Sequence, residues 1–272
     1  MKTRQEKLEA FGRILDILDE LRVKCPWDRE QTTQSLRPQT IEEVYELSDA
    51  ILKDDMKNIS KELGDVLLHV LFYAKIGEEQ NEYDIVDVIN FLSDKLIYRH
   101  PHVFSSVEVA DSAEVVKNWE MLKTKEKDGN RRILSGVPDT LPPLLKAYRM
   151  QDKARGVGFD WEEKSQVWDK VKEEMNEYQA ELDAIEAAES EEDRAAAFAR
   201  AEVELGDYLF AVVNAARLYG LNPDTALERT CAKFKRRFTY LEEHTIRQGR
   251  NLKDMTLAEM DEIWDEAKAK GL

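Results

Sequence analysis

The chain has 272 residues, 42% hydrophobic and 35% charged, which is enough for one large domain or two modest ones, each with its own core. A net charge of −16 argues against nucleic acid or an anionic membrane as the main partner, because both are bound through basic surface. Only 11 Gly and 7 Pro disfavour a strand-and-turn fold, and two widely separated cysteines, Cys25 and Cys231, without metal-ligand spacing point to reduced thiols in the cytoplasm.

The N-terminal segment is an amphipathic helix rather than a signal peptide, with Leu8, Phe11, Leu15, Leu18 and Leu21 at helical spacing to about Val23. A loop, KCPWDREQTTQSLRPQ, is expected to end at Thr40, read as an N-cap with Glu43 as its reciprocal partner. Helices then follow over IEEVYELSDAIL, from about Asp55 to Gly77, over about 84–99, and over about 112–125. The Gly- and Pro-rich EKDGNRRILSGVPDTLPP reads as a linker, which sets domains at 1–130 and 143–272 with 131–142 between them. The second half predicts helices over about 143–155, 165–189, 191–219 and 223–247, and a last one capped by Thr256 with Glu259. No segment sustains period-2 alternation, and no apolar run reaches membrane-spanning length. The fold class is all-α, built from tandem duplicated helical bundles.

The duplication can be read residue by residue. Glu42-Glu43-x-x-Glu46 matches Glu173-Glu174-x-x-Glu177, and ELGD at Glu62–Asp65 matches ELGD at Glu204–Asp207. Lys95 and Arg99 match Lys233 and Arg237, Trp119 and Lys123 match Trp264 and Lys268, and PWD matches FDW. With 56 acidic residues in the chain, one ExxE pair is weak evidence and most such pairs are solvated faces. Here, however, acids three apart share a helix face that runs into apolar sequence, where Val66, Leu67, Val70 and Leu71 are expected in a core. Carboxylates converging at a core edge repel one another unless a cation lies among them. Gly64 and Gly206 each cost their helix about 1 kcal/mol, so close helix packing or room for a ligand is expected beside them.

The four histidines do not fall at the Glu-x-x-His spacing of carboxylate di-iron sites, and His69, His100 and His102 read as structural. An all-oxygen donor set suits a hard cation, Mg²⁺ with Mn²⁺ able to substitute, and such an ion shares its sphere with substrate phosphates. Lys/Arg pairs four apart are commonplace on solvated faces, but repeated beside the acids they could reach phosphate oxygens. Trp119 and Trp264 could stack on a base or simply anchor their helices.

Together these residues resemble the MazG nucleotide pyrophosphohydrolases. The doubled EExxE and ExxD, with CPWDREQT, RHPHVF, GVGFDW and KFKRRF in that order, resemble the full-length two-domain bacterial type over essentially the whole chain. The resemblance implies an all-α NTP pyrophosphohydrolase fold and Mg²⁺-dependent cleavage of nucleoside triphosphates, ATP among them, to monophosphate and pyrophosphate. It also implies a homodimer. Carried over by position, Glu174, Glu177, Glu204 and Asp207 hold the metal, and Lys170, Glu173, Lys233, Arg237, Trp264 and Lys268 contact the nucleotide. On that reading Glu173 orients or deprotonates the attacking water, and Lys233 and Arg237 stabilise the departing pyrophosphate. The C-terminal half is then the main hydrolytic one. The N-terminal copy keeps a second candidate site of Glu43, Glu46, Glu62, Asp65, Lys95, Arg99, Trp119 and Lys123. The competing readings are a non-catalytic helical dimer that senses nucleotides or binds a partner, and a bare scaffold.

Overall fold

The structure is a computed structural model that describes residues 2–111, 114–115, 118, 122 and 132–272. All regular structure among them is helical, and the chain divides into two compact units, residues 1–109 and 110–272. Most of the predicted helix over 112–125, with Trp119 and Lys123, lies outside the described residues, as does the stretch around the expected boundary near residue 130.

In the first unit, α1 (Arg4–Lys24) starts at a capping box between Thr3 and Glu6, and Pro26 opens the short α2 (Pro26–Glu30) inside the PWD loop. The next helix, α3 (Thr33–Leu52), starts seven residues before the expected cap at Thr40. Its cap is Thr32, which exchanges bonds with Ser35, and the helix continues through Pro38. Thr40 is therefore interior: its hydroxyl bonds Leu36 O at 3.0 Å, His69 Nδ1 at 2.9 Å and the Tyr73 hydroxyl at 2.6 Å, so Glu43 has no capping role. The long α4 (Met56–Glu79), capped by Asp55, packs against α3. It runs past Gly77, where a Cβ would stand 2.7 Å from the Tyr83 ring. Next come α5 (Ile85–Arg99), with an Asp84 capping box, and α6 (Pro101–Phe104). Leu18, Leu36, Leu71, Phe72 and Ile76 form the core of this unit.

In the second unit, α7 (Pro143–Arg155) leads through the GVGFDW loop to α8 (Gln166–Ala187) and α9 (Glu191–Leu218), which form the main helix pair. Val167, Val171, Ala211 and Ala215 make its core. Gly158 adopts φ +87°, a conformation that side-chain-bearing residues rarely take. Then α10 (Pro223–Arg247) packs on α11 (Leu257–Ala269) around Leu241, Met255 and Ile263, and α11 starts at the expected Thr256–Glu259 capping box.

The acidic helices of the second unit are longer. Beyond Glu46, α3 runs 6 residues to Leu52, whereas α8 runs 10 beyond Glu177 to Ala187. Before Glu62, α4 has 6 residues, whereas α9 has 13 before Glu204. Both differences exceed a helical turn. One core expectation fails in part. Of the four residues expected in the core, Val66, Leu67, Val70 and Leu71, only Leu71 is buried; Val66 is half-buried, and Leu67 and Val70 are exposed. Apolar residues at 66, 67, 68, 70, 71 and 72 cover more of the helix than α3, with smaller contacts from α1 and α5, can bury.

Candidate active site

The antiparallel pairs α3/α4 and α8/α9 each bring one EExxE next to one ExxD. In the second unit, carboxylate oxygens of Glu174, Glu177 and Glu204 lie within 4.8 Å of one another, and in the first unit those of Glu43, Glu62 and Asp65 do the same. Asp207 lies close enough to Glu204 to help hold its carboxyl above the usual range. The main cause of that shift is loss of water around Glu204, followed by the charges of Glu177, Asp207, Glu174 and Glu181. Glu43 is raised in the same way, by desolvation first and then by Asp65, Glu46, Glu62 and Glu42.

Each cluster contains one acid that the fold buries. In the second unit it is Glu174, 7% exposed; in the first it is Glu62, 5% exposed, whose Oε2 has no hydrogen-bond partner among the described residues. Each also has a lysine at its edge. Lys170 Nζ donates to Glu173 Oε1 at 2.9 Å and pairs with Glu174 Oε1 at 2.7 Å, which holds the ammonium above its ordinary pKa. Lys61 pairs with Glu62 at 3.0 Å and Asp65 at 3.8 Å. The two lysines are not repeat equivalents. Lys170 is on the EExxE helix, where Gln39 holds the matching place, and Lys61 is on the ExxD helix, where Val203 does. Matching the two halves picks out neither, because each sits outside the repeated letters; the family resemblance brought in Lys170, as a nucleotide contact, while Lys61 was not expected.

A cavity of about 610 Å³ opens beside the second cluster, with Lys170, Glu174 and Asp207 on its wall and Met150, Trp161 and Phe210 among its apolar lining. Its mouth is shaped by the GVGFDW loop. Asp160 of that loop forms a two-pronged ion pair with Arg217 of α9, Nη1–Oδ2 3.0 Å, and both side chains are largely buried. In the first unit the corresponding loop is braced differently: Arg22 donates to Asp28 O and Gln31 O and pairs with Glu79, Nε–Oε1 2.8 Å. The shared Trp and Asp of the two loops were legible in the sequence, but the arginines that fix them come from unrelated positions.

An Escherichia coli nucleoside triphosphate pyrophosphohydrolase is 38% identical to this chain over 96% of it and 98% of its own length. The chain belongs to the MazG nucleotide pyrophosphohydrolase family. A profile of the MazG nucleotide pyrophosphohydrolase domain matches residues 31–104, the stretch that carries the first acidic cluster. The Thermotoga maritima nucleoside triphosphate pyrophosphohydrolase/pyrophosphatase MazG is 38% identical over 95% of each chain. The uncharacterized protein YabN of Bacillus subtilis is 46% identical over 97% of this chain but 53% of its own length.

The other candidate residues of this MazG protein lie around the clusters or apart from them. Glu177 and Glu46 are exposed at the rims of their clusters, and Glu46 adds charge to Glu43 without joining the closest triad. Lys233 is exposed on α10. Arg237, one turn on, bonds Leu272 O at 2.7 Å and lies 5.9 Å from the Trp264 ring, which also packs on Phe234. Lys268 pairs with Asp265 at 2.8 Å. Lys95 lies 5.6 Å from the Phe91 ring, and Arg99 ends α5. His69 is buried on Thr40, in keeping with a structural role. Gly64 and Gly206 do not mark close packing within the chain, since a Cβ on either would meet no described atom within 4 Å. Space, not contact, lies beside both.

Proposed function

We propose that this MazG protein hydrolyses nucleoside triphosphates to nucleoside monophosphate and pyrophosphate by direct attack of water, with the second unit as the working site. The observation that carries this reading is one cavity with Glu174, Asp207 and Lys170 on its wall beside an apolar lining, adjoining the Glu174–Glu177–Glu204 cluster. The clustered carboxylates of Glu174, Glu177 and Glu204, with Asp207 beside them and Glu204 partly desolvated, fit a hard cation, Mg²⁺ with Mn²⁺ able to substitute. Such an ion, when bound, neutralises triphosphate charge and lowers the pKa of a coordinated water.

The chain's own groups supply the rest. Lys170 relieves part of the carboxylate repulsion and pairs with Glu173, the chain neighbour of Glu174, which would accept a proton from the attacking water. Lys233 and Arg237 would stabilise charge on the departing pyrophosphate, with Trp264 and Lys268 beside Arg237 completing the nucleotide contacts. No nucleophilic side chain is needed. The apolar exposure of Leu63, Leu67 and Val70 on α4, and of Val203 and Leu209 on α9, supports a homodimer in which a second copy covers these faces. Among the described residues no helix is long and apolar enough to cross a membrane. The free cysteines agree with a cytoplasmic setting, and the charge of −16 with a protein that does not bind nucleic acid directly.

Product analysis tests the reaction. Nucleoside triphosphate with Mg²⁺ should yield monophosphate and pyrophosphate in equal amounts, with turnover lost on chelation and restored by Mg²⁺ or Mn²⁺. Diphosphate and orthophosphate would overturn the pyrophosphohydrolase reading. Tight binding with no turnover would favour the nucleotide sensor.

A further inference from the structure

Among the described residues, one polar group on the wall of this cavity has no contact to explain it. Gln151 of α7 is 7% exposed and donates from Nε2 to Phe210 O at 2.8 Å, while its Oε1 is buried without a partner among the described residues. The Phe210 carbonyl can only accept, so it fixes which end of the amide turns away and leaves an acceptor unsatisfied. A buried acceptor left without a donor is a net cost to the fold, so a site that retains one is explained when a ligand supplies the donor. Asn214 lines the same cavity, and its Oδ1 already accepts from Arg217 Nε at 3.1 Å and Nη2 at 2.8 Å, which leaves Nδ2 as a donor.

We infer that the apolar end of this cavity is the nucleobase subsite. Gln151 Oε1 accepts from the base's exocyclic amine or ring N–H, Asn214 Nδ2 donates to an adjacent ring nitrogen or carbonyl, and the Trp161 ring covers its face. The proposed triphosphate substrate enters only in setting the direction of the ligand, with phosphates at Glu174, Asp207 and Lys170. The wall chemistry carries the rest. A volume of about 610 Å³ is of the size that holds a small organic ligand, and apolar lining with two convergent amide groups is what a flat heteroaromatic ring with neighbouring donor and acceptor requires. A purely apolar ligand would leave Gln151 unsatisfied. The buried Asp160–Arg217 pair holds Trp161 at the mouth without itself touching the base, which makes Asp160 and Arg217 positioning residues.

The test is calorimetric titration with the four α,β-imido nucleoside triphosphates and with inorganic tripolyphosphate, all in Mg²⁺. The tightest nucleotide should bind at least about tenfold better than tripolyphosphate, and Gln151→Leu should weaken that nucleotide about tenfold while leaving tripolyphosphate unchanged. An analogue of the same base lacking the donor should bind the parent protein about as weakly as the normal base binds Gln151→Leu, and should lose little further in the variant. Equal weakening of nucleotide and tripolyphosphate, or no weakening of any nucleotide, would overturn the subsite. If Gln151→Leu does not fold, Trp161→Leu at the exposed mouth decides the matter by the same comparison. Binding of imido nucleotides does not depend on turnover. A protein that binds them through Gln151 but releases no pyrophosphate from true substrates would keep the subsite and lose the proposed reaction.

Discussion

Glu204 and Glu43 show how the fold treats a carboxylate it has placed among others. Both have folded-state pKa values above the ordinary range, chiefly through desolvation and then through neighbouring acids. A raised folded pKa means the folded state binds that proton more tightly than the unfolded chain does. At pH above the raised value both groups are charged and subtract from stability; as pH falls through it they protonate first in the folded state and the penalty disappears. A bound divalent cation removes the same penalty, and it needs the ionised ligands. We therefore expect millimolar Mg²⁺ to raise the melting temperature more at pH 8 than at pH 5, as read by calorimetry. Equal increments at the two pH values would show that these acids do not bind the ion.

At the scale of the helix, ELGD carries a cost. Gly64 and Gly206 sit inside α4 and α9, away from either end, with no described atom within 4 Å of an added Cβ. Nothing within the described chain opposes a methyl group there, and alanine is the better helix former by about 1 kcal/mol. Gly64→Ala and Gly206→Ala are each expected to stabilise the monomeric fold by about 0.5–1 kcal/mol, measured by urea denaturation at low protein concentration. Destabilisation would mean that another chain or a ligand already occupies that space in the resting protein. The same helices explain why the copies differ electrostatically: Lys61 rides on the ExxD helix and Lys170 on the EExxE helix, so the counter-charge approaches the acids from opposite members of the pair.

For the whole molecule, the outward faces of α4 and α9 raise the question of assembly. Val203 is 60% exposed and Leu63 53%, with Leu67 and Val70 on the same side of α4 as Leu63. A second copy is the partner we expect, and light scattering at micromolar concentration should give twice the mass of the chain; a monomer there would contradict it. The division of labour between the units is tested by paired variants. Glu174→Ala with Glu177→Ala should lower kcat about a hundredfold or more, the scale of losing ligands to a catalytic ion, while the protein stays folded because fewer like charges converge. Glu43→Ala with Glu46→Ala should cost far less. If the N-terminal pair proves the more damaging in folded protein, the working site is in the first unit.

Periodicity, breakers and caps were enough to place most helices within a residue or two, because local hydrogen-bond chemistry such as Thr256–Glu259 and Asp84–Asp87 decides where a helix starts. The doubled acids were legible for a related reason: residues three apart on a helix share a face whatever packs against it. The start of α3 was not, since Pro38 reads as a stop signal and Thr32 closes its box with Ser35 in place of the usual Glu or Gln. Tertiary structure alone decided what lies beside the acids. Helix packing chose which carboxylate is buried, Glu62 in one copy and Glu174 in the other, and which lysine answers it. It also brought Gln151, Trp161 and Asn214, from a helix, a loop and a second helix, around one cavity. Their spacing in the chain carries no period, so only the folded molecule sets them beside the acidic cluster.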